Sequence, residues 1–116
     1  MGTVNEAGLN MSLLSPKTKL FVETKNSFYE FVVVEAKKVT VFGGTLKDGG
    51  IRYPQPASAI FYGSTWGGSM IKVDWLGVGM YMEFKAENEE KLLRTSVVRK
   101  IRIEPADGNW SYTITP

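Results

Sequence analysis

The side chains here that could do chemistry are carboxylates, hydroxyls and cations, because the chain has neither histidine nor cysteine. That absence removes thiolate nucleophiles, disulfides, zinc sites of the Cys/His type, and imidazole as a general base or pH switch. Paired carboxylates remain, and Glu30, Glu35, Asp74 and Glu83 are the candidates for glycosidase-type acid–base work, which needs two of them about 5–10 Å apart in a cleft. Their places on the polar side of alternating strands read better as solvated surface. Asp48, Glu87, Glu89 and Glu90 lack the spacing of a calcium loop, so neither a metal nor a cofactor is expected. The stretches "GGTLKDGG" and "GSTWGG" have neither glycine order of the phosphate-binding loops and precede no credible helix, so turn chemistry accounts for them. No catalytic residue emerges, and the sequence leans away from an enzyme.

Binding chemistry is better represented. Arg94, Arg99, Lys100 and Arg102 lie on one predicted strand, and nearby strands supply Tyr29, Phe31, Tyr62 and Tyr81, the interleaving by which small barrels stack single-stranded bases in a positive groove. Alternation sends Arg99 to the opposite face with Ile101, which narrows the candidate nucleic-acid contacts to Arg94, Lys100 and Arg102. The net charge of +2, from 14 basic against 12 acidic residues, is small for a nucleic-acid binder. Six Phe, five Tyr and three Trp exceed what an ordinary core of 116 residues needs. Tyr53, Tyr62, Trp66 and Trp110 fall in or beside predicted loops, and they form the candidate ligand or partner surface.

These residues must be positioned by strands. Residues 1–16 are small, polar and aperiodic, and read as a flexible arm that Met11, Leu13 and Leu14 could pin down; residues 17–116 read as a single all-β domain. "TKLFVET" and "FYEFVVVE" make a hairpin around "KNS", and "PADGN" joins the last two strands through an Asp-Gly turn. Between Gly43 and Pro56, four glycines and two prolines predict a long loop, a place for a small-molecule site or a minor enzyme activity. In "MIKVDW", parity puts Ile71, Val73 and Trp75 toward the core. At most one short helical turn is expected near residues 86–93. About eight short strands argue for a small antiparallel, partly open β-barrel, with a β-sandwich as the alternative. If Phe31 and Val33 face the core, Val32 and Val34 face away from it, and a strand apolar on both faces is covered on both. Val32 and Val34 are therefore the candidate oligomer interface. No membrane span or leader is evident, which favours a cytoplasmic protein.

Two segments, "ETKNSFYEF" and "LLRTSVVRKIRIE", cover about a fifth of the chain. Their Thr-x-Asn-Ser-x-Tyr and Thr-Ser-x-Val patterns resemble small bacterial all-β proteins of unassigned function. The resemblance implies a small barrel-like domain and brings no activity with it. The residues themselves read as corners where Thr24, Asn26, Ser27, Thr95 and Ser96 bond to local backbone, or as two corners that meet and offer hydroxyls to a ligand. The ranking is a non-catalytic binding or protein-interaction module acting as a homo-oligomer, then a single-stranded nucleic-acid-binding barrel, then a small-molecule binder or minor enzyme using residues 43–56.

Overall fold

Period-two alternation sorts side chains to opposite faces of a strand, and most of this chain obeys it. The structure, a computed structural model, describes residues 7–46 and 48–116. Among the described residues ten strands run in order: β1 (Gly8–Asn10), a 3-10 turn (Met11–Leu13), β2 (Lys19–Thr24), β3 (Ser27–Glu35), β4 (Lys38–Leu46), β5 (Ile51–Thr65), β6 (Lys72–Val73), β7 (Trp75–Gly77), β8 (Tyr81–Ala86), β9 (Leu93–Glu104) and β10 (Tyr112–Ile114). Every pairing is antiparallel, and β2–β3–β4–β5–β8–β9 close a ring as β9 returns to β2. The protein is all-β, as its sequence predicts. No helix among the described residues is long and apolar enough to cross a membrane.

The interior is built from the inward parity of each strand. Leu20 and Val22 of β2, Tyr29, Phe31 and Val33 of β3, and Val39 and Val41 of β4 are buried with Phe61, Phe84 and Ile101. Phe84 stands edge-on to both Tyr29 and Phe31, with ring centroids 5.6 and 5.3 Å away, the arrangement that the ring quadrupoles favour.

Three expectations are corrected. The described part of the stretch 1–16 is docked: β1 pairs with β7, Met11 is fully buried, and its N–H donates to the Asp74 carbonyl at 2.7 Å; residues 1–6 lie outside the described residues. The loop expected over residues 43–56 is instead part of a long hairpin of β4 and β5, in which Gly43 pairs with Tyr53 and Thr45 with Ile51 while a register shift leaves residues 54–56 without partners. Gly43 sits at a register shift with φ of 93°, so it marks a bulge and not a loop start. After β8, residues 87–92 make a turn-rich connection, within the expectation of at most one helical turn there. Parity also fails at Asp74, whose φ of 63° puts it in the left-handed region. The kink turns Val73 outward, 61% exposed, and buries Leu76. Trp75 is half-buried beneath β1, and only glycine fits beside it: a Cβ on Gly8 or Gly77 would lie 2.7 or 2.6 Å from the indole.

If β1 and the turn after it belong to the core, Met11→Ala should cost about 2–4 kcal/mol, as buried methionine truncations do. Chemical denaturation measures this; a cost below about 0.5 kcal/mol, the range of neutral surface changes, means the segment is dispensable.

Candidate functional site

The same parity that fills the interior dictates what the outside of β10, β9, β2, β3 and β4 displays. Inward Leu20 and Val22 force Phe21 and Glu23 out; inward Tyr29, Phe31 and Val33 force out Phe28, Glu30, Val32 and Val34; inward Val39 and Val41 force out Thr40 and Phe42. Register then aligns them across strands. One row reads Thr113, Arg102, Phe21, Glu30, Phe42. On one side of it lies Lys100, Glu23, Phe28, Thr45, and on the other Glu104, Lys19, Val32, Thr40. Phe28 is 52% and Phe42 42% exposed, and with Phe21 they line a groove of about 390 Å³ whose rim carries Lys100 and Arg102. The Arg102 guanidinium lies over the Phe21 ring, 4.3 Å from its centroid, and reaches Glu104 at 3.4 Å. Large apolar side chains gathered on one outer face mark a contact surface more often than scattered ones do.

The residues singled out from sequence go to different places. Lys100 and Arg102 share the outer face of β9 and line the groove. Arg94 does not join them. Its Nε donates to Glu83 at 2.6 Å, and its Nη1 and Nη2 donate to the carbonyls of Gly67 and Gly68 at 3.2 and 2.9 Å. Glu83 is buried and not a solvated carboxylate, so Arg94 is a strut that ties the loop after β5 to the ring. Val32 is half-buried and Val34 exposed on the outer face of β3, continuous with the phenylalanines.

The four aromatics proposed as one surface are not brought together. Tyr62 is exposed on β5 and Trp66, 66% exposed, tops the loop that Arg94 braces. Trp110 stacks on Tyr112 with ring centroids 5.4 Å apart. Tyr53 is corrected outright: it is 4% exposed and its hydroxyl donates to Glu89 at 2.7 Å. Burial, and then that bond, hold the phenol protonated well above its ordinary range. It is an interior residue and not part of a partner surface.

The two motifs do meet. The Thr24 hydroxyl lies 2.7 Å from that of Ser27 and accepts from the Ser27 N–H at 2.9 Å and the Ser96 hydroxyl at 2.8 Å. Ser96 also accepts from the Asn26 N–H at 3.0 Å, while Thr95 donates to the Ser96 carbonyl at 2.7 Å. A cleft of about 470 Å³ borders this corner, with Arg52 and Arg94 on its walls. Its hydroxyls are spent on one another and on neighbouring backbone, and Arg94 is engaged with Glu83 and the loop after β5, which is the bonding of a structural corner. The carboxylates considered for acid–base chemistry are dispersed: Glu30 on the outer face, Glu35 ending β3, Asp74 between β6 and β7, Glu83 beneath Arg94. Among the described residues no group of three or more acidic side chains could hold a metal.

The outer phenylalanines are what sequence reading missed. The signal was present, because the parity that assigned Val32 and Val34 outward assigns Phe28 outward too. No known protein family, curated protein or solved structure matches the chain.

Two outcomes are expected. Arg94→Ala should cost about 2 kcal/mol, the scale for losing hydrogen bonds to a charged group, and Arg94→Lys should not rescue it, since an ammonium cannot reproduce the planar fork; equilibrium unfolding decides. For Tyr53, a folded pKa raised above the ordinary value of about 10 means that its contribution is intact below that pH and is lost as pH rises past it. A stability–pH profile of Tyr53→Phe should fall less steeply than the parent above about pH 10, and identical alkaline limbs would remove this account.

Proposed function

We propose that the chain is a non-catalytic binding module that acts through protein contact, as a homo-oligomer, using the outer face of β10, β9, β2, β3 and β4. The observation that carries this reading is the cluster of Phe21, Phe28 and Phe42 on that face, two of them about half exposed. Leaving such rings in water forgoes about 1.5–3 kcal/mol of burial each, and aromatic residues are enriched at the centres of interfaces. Val32 and Val34 extend the same surface along β3. The lack of histidine and cysteine, and the dispersal of Glu30, Glu35, Asp74 and Glu83, support a role without catalysis. A chain without disulfides needs no oxidising compartment, which accords with a cytoplasmic setting. Kinship with the small bacterial all-β proteins that its two motifs resemble would add no activity to this reading.

The second reading, single-stranded nucleic acid, draws on Lys100 and Arg102 beside the phenylalanines. Charge opposes it. The three rows carry Lys19, Lys100 and Arg102 against Glu23, Glu30 and Glu104, and a balanced face does not concentrate on a polyanion.

Light scattering at micromolar concentration should therefore find a mass that is a multiple of 12.9 kDa, and Phe28→Ser should reduce it toward the single-chain value while leaving unfolding within about 0.5 kcal/mol of the parent, as exposed substitutions do. A monomeric parent refutes the assembly. Saturable binding of mixed-sequence single-stranded DNA or RNA at ~50 mM salt, weakening steeply as salt rises, would instead favour the second reading.

A further inference from the structure

We infer that the occupant of this face is a second copy of the chain, docked face to face about a two-fold axis that runs along β2; the inference rests on the reading of the face as an assembly surface and adds how the copies recognise each other. The support is the order of side chains across the sheet. The central row reads Thr113 on β10, Arg102 on β9, Phe21 on β2, Glu30 on β3 and Phe42 on β4. A two-fold axis along β2 lays β9 of one copy over β3 of the other and β10 over β4. Arg102 then faces Glu30 of the second copy, and the exchange is repeated in reverse, as an isologous contact requires. The two Phe21 rings meet on the axis, and each Phe42 is covered by Thr113 and the strand that bears it.

The flanking rows obey the same operation. Lys100 falls over Phe28 of the second copy, where its stem covers apolar surface and its ammonium meets a ring face. Glu104 on β9 falls over Val32 on β3. The residues of like charge that meet on the axis are bracketed by opposite charges: the two Glu23 side chains by Lys100 from each copy, and the two Lys19 side chains by Glu104 from each copy. A partner of one net sign would find half of these groups repulsive, whereas a second copy pairs Arg102 with Glu30 twice and sets an opposite charge beside each like-charged pair on the axis. Charge pairs of this kind fix register and exclude wrong partners more than they add affinity.

The experiment uses two charge reversals on the outer face, at exposed Arg102 and half-buried Glu30. Arg102→Glu alone sets carboxylate against Glu30 twice per dimer, and Glu30→Arg alone sets guanidinium against Arg102 twice. Each should weaken self-association by roughly tenfold or more, the scale of juxtaposed like charges. An equimolar mixture of the two variants should restore association to about the parent level, as a heterodimer seen by native mass spectrometry, because both crossed pairs are then of opposite sign. The double variant carrying both reversals should also recover. If the parent assembles and neither reversal moves its dissociation constant, or the mixture fails to recover, this docking is wrong while assembly by another surface stands. If the parent is monomeric at every concentration reached, both fail together.

Discussion

A ring of strands closes only if its last member finds its first, and here β9 finds β2 at the corner where the Thr24 hydroxyl, Ser27 and Ser96 hydrogen-bond one another. The pairing slips by one residue at that point, between Glu23 and Thr24, so the hydroxyls occupy positions that the interrupted ladder leaves short of partners. A bulge also bends and twists its strand. This one both closes the ring and lets β9 change company, pairing with β8 over its first half and with β10 over its second. Buried hydroxyls would be a burden anywhere else in the core; at the corner each one completes another's hydrogen bonding.

From closure follows the segregation that makes the outer face. A ring this small has room for one layer of large side chains inside, and Phe31, Phe61, Phe84 and Tyr29 take it. Further aromatics on the same strands must point outward. Phe21, Phe28 and Phe42 are each one residue away from an inward position, and the interior has no place for them. The groove is thus a by-product of the same alternation that packs the core, and cross-strand register decides which charges surround it.

Much of this was legible. The Thr24–Ser27 hairpin, the Asp107–Gly108 turn and the inward set of β3 follow from turn chemistry and parity, and the structure has them. Parity also contained the outward phenylalanines, but on the outer face it was carried only as far as Val32 and Val34. Three things lay beyond a single sequence. The left-handed Asp74 breaks the alternation with a residue that gives no warning of it. Glycine and proline between residues 43 and 56 signal one long loop, yet here they serve a hairpin: Gly43 at a register shift, Gly49 and Gly50 in the turn, and Pro54 and Pro56 in an unpaired stretch of β5. The register that sets Lys100 and Arg102 beside phenylalanines from three other strands is a long-range property, fixed by bulges that local pattern does not announce.

The two prolines of β5 have a further effect. Pro54 and Pro56 lie in the stretch of β5 that the register shift between Tyr53 and Ala57 leaves without partners on β4, and β8 pairs with β5 only from Ala59 onward, so two donors are missing where the strand is unpaired. An open edge ordinarily invites a foreign strand to extend the sheet without limit. With two donors missing it is a poor template. Growth by edge addition is discouraged there while faces stay free to meet, which biases the molecule toward particles of fixed stoichiometry over fibres.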